Sequence, residues 1–380
     1  MTHLLGPMRV ERIAQGGQCV ARFDGRVIFV RHAIPGETVM VRITDSSKTN
    51  FWRGDAVEIL EASQHRVVPP CPVAGTCGGC DFQHVDLAEQ RHLKSAVLEE
   101  QLSRLAGLDW SIEVEGVPGE TGFGWRSRMR YQVSDGVVGL SEHRSSVLVP
   151  LPIAGCLIAD ERGRTISPGK AENCDELIVA TGVDVSQRCA DAAPELMTQQ
   201  VGNSLFKVWS NGFWQPHTAA PGLLTEVVLE FAAPEAGEFA LDLFCGVGLF
   251  ARALVDAGVR VHGVEVNRRA IEMAEKNVPE AEFTAGKVDA VLPRMKQQDL
   301  VVLDPPRSGV GRKGIELIAE LDPERVVYVS CDPASFARDI SYFCNHGYEL
   351  VKLRAFDLFP MTHHVECVVL ITRVKDSESL

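Results

Sequence analysis

Apolar and polar residues change rhythm twice along this chain. Over residues 10–60 they alternate in short runs broken at Gly16-Gly17, Asp24-Gly25, Pro35-Gly36 and Gly54-Asp55. Strands turned by glycine at that spacing predict a small antiparallel β-barrel, with 26–31 and 37–43 as two of its strands. Val67-Val68-Pro69-Pro70-Cys71-Pro72 then reads as a linker into a cysteine-rich loop. Leu87, Val97, Leu98, Leu102 and Leu105 fall at helical spacing, which predicts an amphipathic helix over 87–105. Residues 110–200 show a mixed pattern that orders no sheet. From residue 201 on, apolar runs at 239–243, 259–264, 300–303 and 326–330 alternate with helical stretches, the rhythm of a parallel sheet with crossover helices. Two late runs, 348–356 and 365–371, have no long helix between them and predict an antiparallel hairpin that ends the sheet. The expected fold class is therefore α/β, with a barrel over 1–62, a central domain over 63–200 onto whose far neighbour the 87–105 helix packs, and a Rossmann-like domain over 201–380.

A chain of 380 residues is too long for one ordinary core, and its 45% apolar and 23% charged residues suit a folded multidomain enzyme. No run of about 18 apolar residues appears and no basic segment leads into an apolar one. The expectation is a cytoplasmic monomer with no membrane contact. A formal charge of −13 argues against coating nucleic acid by bulk electrostatics. Charge is uneven, though: residues 1–66 carry nine Lys or Arg against seven acids, and Arg126, Arg128 and Arg130 stand between Trp125 and Tyr131. These arginines are either a grip for a displaced nucleic-acid strand or the solvated face of an ordinary strand.

Candidate chemistry clusters where the parallel strands end. Asp242-Leu243-Phe244-Cys245-Gly246-Val247-Gly248 closes the first strand with a glycine turn at the sheet's carboxyl edge, where open α/β sheets bind nucleotides. Two glycines instead of three exclude the dinucleotide fingerprint. Glu265, ending the next strand, suits a ribose diol; Asp289 is either a partner for an adenine amino group or a helix cap. Val329-Ser330-Cys331-Asp332-Pro333 sets a cysteine just beyond an apolar strand and before a helix, whose start is expected to lower the thiol pKa. Eleven cysteines without a secretory signal do not suggest a disulfide framework. Cys71-x5-Cys77-x2-Cys80, with Gly75, Gly78 and Gly79 between, reads instead as a cluster or zinc loop.

Taken in order, Asn211-Gly212-Phe213-Trp214-Gln215-Pro216, Asp304-Pro305-Pro306-Arg307, Ser330-Cys331-Asp332-Pro333 and Asp357-Leu358-Phe359-Pro360-Met361-Thr362-His363-His364-Val365-Glu366 resemble the motifs of the RNA 5-methyluridine methyltransferase family. The resemblance covers most of the chain and is most specific from residue 211 onward. It implies an S-adenosylmethionine-dependent methyltransferase domain behind a TRAM barrel and a central iron-sulfur domain. It implies Cys331 as nucleophile and Glu366 as base, with Gln215, Asp242, Phe244, Gly246, Glu265, Asp289 and Asp304 around the cofactor. Asp304 alternatively holds the uracil ring, and Glu366 alternatively caps a strand. His217 stands where the family usually has Asn. Cys156 matches the family's fourth cluster ligand, which favours a four-iron, four-sulfur cluster over zinc. The implied partner is RNA, with 23S ribosomal RNA ahead of transfer RNA. An adenine N6 methyltransferase would follow the two prolines with an aromatic residue where this chain has Arg307, and a non-catalytic RNA-binding factor would need neither Cys331 nor Glu366.

Overall fold

The computed structural model describes residues 4–172 and 174–374. Strands β1 (Leu4–Ile13), β2 (Cys19–Phe23), β3 (Arg26–Arg31), β4 (Thr38–Asp45) and β5 (Phe51–Glu61) close a barrel in the order β1-β2-β3-β5-β4. Ile28, Val30, Val39 and Val41 fill its interior from alternate positions, as a two-residue period requires. The barrel is not wholly antiparallel: β3 runs parallel to β5, because β4 takes the place between β5 and β1.

Helix α1 (Leu87–Gln101) starts where the Asp86 carboxylate accepts the Glu89 N–H, and a π turn, Leu102–Ala106, continues it. It is buried on two sides. Leu93 and Val97 join the barrel core, whereas Leu98 and Leu102 join the core of the largest sheet. The chain then contributes the two-residue strand β6 (Val114–Glu115).

The middle region forms a five-stranded sheet from β7 (Arg128–Ser134), β8 (Val137–Ser141), β9 (Leu148–Pro150), β10 (Glu176–Thr181) and β11 (Val185–Cys189), in the order β11-β10-β7-β8-β9. Helix α2 (Glu161–Arg164) lies between β9 and β10. Cys174 and Cys189 are paired as a disulfide beside this sheet, and the other nine cysteines are free. Strands β12 (Leu196–Val201) and β13 (Ser204–Trp209) pair only with each other. The boundary expected at 200/201 therefore falls inside a hairpin, and Phe206 and Val208 already belong to the core that follows.

After α3 (Ala220–Ala232), strands and helices alternate: β14 (Phe239–Leu243), α4 (Leu249–Asp256), β15 (Arg260–Glu265), α5 (Arg268–Asn277), β16 (Glu282–Ala285), α6 (Val288–Val291), β17 (Leu300–Leu303), α7 (Arg312–Glu320), β18 (Arg325–Ser330) and α8 (Pro333–Asn345). The hairpin of β19 (Tyr348–Phe356) and β20 (Glu366–Arg373) follows. The eight-stranded order is β16-β15-β14-β17-β18-β20-β19-β6. Strands β14 to β18 run parallel, so their carboxyl ends share one edge. Strand β20 runs against β18 and brings its first residue to that same edge. Among the described residues no helix is long and apolar enough to cross a membrane.

One ion pair fastens α1 to the segment between β19 and β20. Lys94 Nζ lies 2.5 Å from Asp357 Oδ1, with side chains 1% and 2% exposed. Removing one partner leaves a buried charge unmatched. Lys94→Met should therefore lower stability by about 3–5 kcal/mol, read as a fall in Tm, and adding Asp357→Leu should restore most of it. A Tm unchanged by Lys94→Met would show that the pair does not hold the helix.

Candidate active site

The glycine turn after β14 forces unusual backbone. Phe244 has φ 61°, Gly246 φ 54° and Gly248 φ 89°, and Gly248 caps α4. A phenylalanine at positive φ is strained, and such strain concentrates at ligand sites. Asp242 is fully buried; one oxygen accepts the Ala251 N–H at 2.9 Å and the other has no partner. Burial, with Asp304 and Glu265 adding, pushes its pKa up to about 8. Glu265 accepts the Gly246 N–H at 3.3 Å and the Asn267 N–H at 2.8 Å, so it borders the turn directly. Asp289 sits in the first turn of α6 and faces Lys313 at 3.6 Å. It caps nothing: Lys287 holds the cap position.

Gln215 reaches the edge from a different element. Its Nε2 donates to Asp304 Oδ2 at 2.8 Å, tying the turn after β13 to the end of β17. Arg128 holds that turn in place, since its Nη1 donates to the carbonyls of Trp209, Ser210 and Gly212 at 3.3, 2.9 and 2.7 Å. Burial lowers the Arg128 pKa to about 10. The three arginines all have partners within their own chain. Arg128 is committed to its own chain, Arg126 is mostly covered and donates to the Arg128 carbonyl at 3.1 Å, and the exposed Arg130 pairs with Glu176 at 3.2 Å. His217 is structural as well. Its Nδ1 accepts the Ala219 N–H, so Nε2 carries the proton and donates to Glu120 at 3.0 Å, while the ring stacks on Trp125.

Cys331 and Glu366 are brought together by strand register. Ser330 of β18 pairs with Cys367 of β20, so the next residue of one strand and the preceding residue of the other emerge side by side. Asp304 leaves the adjacent strand β17 at the same edge. Glu366 is 3% exposed; burial, with Asp304 adding, raises its pKa well above the ordinary carboxylate range. Asp304 is raised to about 7 by burial, which the Gln215 bond partly opposes.

The thiol departs from expectation. Burial pushes the Cys331 pKa up to about 12, Glu366, Asp304 and Asp332 add to the rise, and Arg307 opposes it. Asp332, whose carboxylate caps α8 by accepting the Ser335 N–H at 2.8 Å, is one of the groups that raise it. Arg307 is thus a cation acting on the thiol, and its position straight after two prolines at a strand end is the sequence signal for it.

The sequence profile of the tRNA (Uracil-5-)-methyltransferase family matches residues 280–374, that of the TRAM domain residues 7–57, and that of the methyltransferase small domain residues 222–320. An uncharacterized RNA methyltransferase of Streptomyces avermitilis is 40% identical, with 94% of this chain and 96% of that protein covered. One from Streptomyces coelicolor is 39% identical, covering 96% and 92%. The chain belongs to the RNA methyltransferase family of these relatives. It is an S-adenosylmethionine-dependent RNA methyltransferase. Its fold extends nearly end to end over the Pyrococcus abyssi tRNA (uracil-54, C5)-methyltransferase solved with S-adenosyl-L-homocysteine, at TM-score 0.73 and 24% identity, covering 96% of this chain and 99% of that one.

This methyltransferase also gathers Cys71, Cys77, Cys80 and Cys156 around one cavity, walled by Val73, Leu140, Val149, Leu151 and Ile158. Burial raises the thiol pKa of Cys77, Cys80 (to about 12) and Cys156, and neighbouring cysteines add to each. Among the described residues no three His, Cys, Asp or Glu side chains are arranged to hold a single metal ion.

With its pKa near 12, Cys331 is a neutral thiol at pH 7 in the free enzyme, and the thiolate fraction grows as pH rises. Iodoacetamide labelling at Cys331, followed by mass spectrometry, should accelerate about tenfold per pH unit from pH 7 to 10. A rate that levels off below pH 9 would show that the thiol is not suppressed.

Proposed function

We propose that this methyltransferase adds a methyl group to C5 of a uridine in RNA through a transient covalent bond to Cys331. The reading is carried by one observation, the β18–β20 register that sets Cys331 beside Glu366 with Asp304 next to both. Uracil C5 is too electron-poor to attack a methyl donor unaided. Addition of the Cys331 thiolate to C6 makes C5 nucleophilic, and S-adenosylmethionine supplies the methyl as an electrophile. C5 then carries both the methyl and a proton. Glu366 takes that proton, the C6–S bond breaks, and Cys331 leaves as a thiolate. A carboxylate buried as Glu366 is makes a stronger base than a solvated one. Gln215, Asp242, Phe244, Gly246, Glu265 and Asp289 are assigned to the cofactor. Asp304 is assigned to its cationic end, where opposite charges offset each other's desolvation.

The target base has to leave its stack, since C6 is unreachable within a paired stem. The TRAM barrel is assigned to RNA. The enzyme is cytoplasmic in this reading, and 23S ribosomal RNA is favoured on the pairing of barrel and cysteine loop. Transfer RNA is the second reading, supported by the end-to-end fold match to the Pyrococcus enzyme, whose substrate is uracil 54 of tRNA.

Cys331→Ala should abolish methylation, and Glu366→Gln should accumulate a protein–RNA adduct that survives denaturant. Sequencing the trapped RNA should return 23S ribosomal RNA, and a transfer RNA would reverse that preference. Full activity in Cys331→Ala would end the covalent reading.

Cys71, Cys77, Cys80 and Cys156 are proposed to hold a four-iron, four-sulfur cluster. Four thiols around an apolar cage suit a cluster wider than one ion, and iron would stabilise thiolates that the cavity otherwise keeps protonated. Four cysteines leave no iron position open, so the cluster's contribution is structural. Anaerobic purification should yield a brown protein with four irons per chain, which colourless protein containing stoichiometric zinc would contradict.

A further inference from the structure

The segment 357–366, which ends in Glu366, is bonded to two distant parts of the chain and touched by a third, and the chemistry above uses none of those contacts. From α1, Lys94 donates to Asp357 and to the Phe359 carbonyl, and Gln90 accepts the Met361 N–H at 2.9 Å. From the cysteine loop, the N–H groups of Asp81 and Phe82 both donate to the Met361 carbonyl, at 2.8 and 3.0 Å. The Asp81 carboxylate binds His363 twice: Oδ2 accepts the backbone N–H at 3.1 Å and lies 2.6 Å from ring Nδ1. A carboxylate only accepts, so Nδ1 carries the proton.

The barrel touches the same residue. A Cβ built on Gly17 (φ +78°) would lie 2.6 Å from the His363 Cβ, so only glycine lets that turn sit there. Its neighbour Gln15 donates to Asp332, the residue after Cys331, at 3.2 Å. Behind the segment, Cys80 and Cys156 pack with Trp125, Met361 and Phe359 in one apolar cluster. The His363 ring lies 4.1 Å from the ring of His364, which in turn meets Phe359 edge-on. The cysteine loop is the back wall of the segment that presents the base.

We propose that Asp81 is a positioning residue for removal of the C5 proton: by fixing His363, three residues before Glu366, it passes the order of the cysteine loop to the base. The proposal rests on the reading of Glu366 as that base. Segment 357–366 has no helix or strand of its own before β20. Its conformation depends on tethers, and each residue left free would gain about 1–2 kcal/mol of backbone entropy. A base displaced by about 1 Å loses on the order of a hundredfold in rate. Asp81 holds both the backbone and the side chain of His363, as Gln90 does for Met361 two residues farther from the base.

The test uses the full-length enzyme with Asp81→Ala, His363→Ala, the double variant, Asp81→Asn and Glu366→Gln. Asp81→Ala should slow product formation roughly 10- to 100-fold while keeping the wild-type Kd for S-adenosylhomocysteine and the wild-type visible spectrum. It should also accumulate the denaturant-resistant RNA adduct expected of Glu366→Gln, because addition and methyl transfer precede the impaired step. Asp81→Asn, which retains an acceptor oxygen, should recover most of the rate. The double variant should be no slower than the slower single, since both remove one interaction. Wild-type turnover in Asp81→Ala would overturn the proposal. So would a slowed Asp81→Ala that forms no adduct while Glu366→Gln does, or a loss of visible spectrum in proportion to lost activity, which would tie Asp81 to the cysteine site alone. Absence of adduct in both Asp81→Ala and Glu366→Gln would instead refute the role of Glu366 and this proposal with it.

Discussion

Three acidic groups share a water-poor pocket and cannot all be negative at once. Cys331, Asp304 and Glu366 end or begin three neighbouring strands, burial raises the pKa of each, and each carboxylate raises the thiol further. In the free enzyme the Cys331 thiol therefore holds its proton at pH 7. The positive group acting on it is Arg307, and a cationic methyl donor beside Asp304 would relieve the same repulsion. Reactivity gated in this way protects a thiol that would otherwise meet solvent oxidants unpaired.

Sheet direction explains why these groups meet. A parallel sheet brings only strand ends to its carboxyl edge, and β17 and β18 deliver Asp304 and Cys331 by ending there. Strand β20 runs the other way and delivers Glu366 by beginning there. The reversed hairpin is thus what brings residues 331 and 366 together at one edge. Elsewhere at this edge, Arg128 organises the turn bearing Gln215, with Nη1 in hydrogen-bond range of three of its carbonyls. Charge-assisted bonds of this kind contribute about 1.5–3 kcal/mol each when well formed.

Periodicity carried much of the architecture. The strands at 26–31, 239–243, 300–303 and 348–356 fall where alternating or continuous apolar runs predict them, because both faces of the large sheet and one face of the barrel are buried. The late hairpin was legible from the missing helix. What local pattern could not carry was anything set by distant partners. Strand β6 is two residues long and exists only because β19 is beside it. Arg128 looks like a surface cation until the carbonyls of residues 209–212 surround it. The Cys331 pKa follows first from burial and then from Glu366 and Asp304, which are remote in sequence. Asp289 has the chemistry of a cap but sits one position inside its helix. Asp81 carries no signal except its place after Cys80, since His363 is its partner only in three dimensions.

Strand β6 also bears on how the molecule is assembled. Val114 pairs with Ala355, and α1 packs on α8 and the large sheet. The edge of β19 would otherwise offer unpaired backbone groups, a surface that invites sheet-to-sheet association. Two residues from the first third of the chain thus cover one end of a strand made near its close, and they must wait through most of synthesis for it. Contacts this far apart in sequence slow folding and lengthen the exposure of intermediates. The barrel, central sheet and catalytic sheet are accordingly not interchangeable cassettes: a catalytic half made alone would keep its reactive residues and lose the shield that keeps it from joining its own copies.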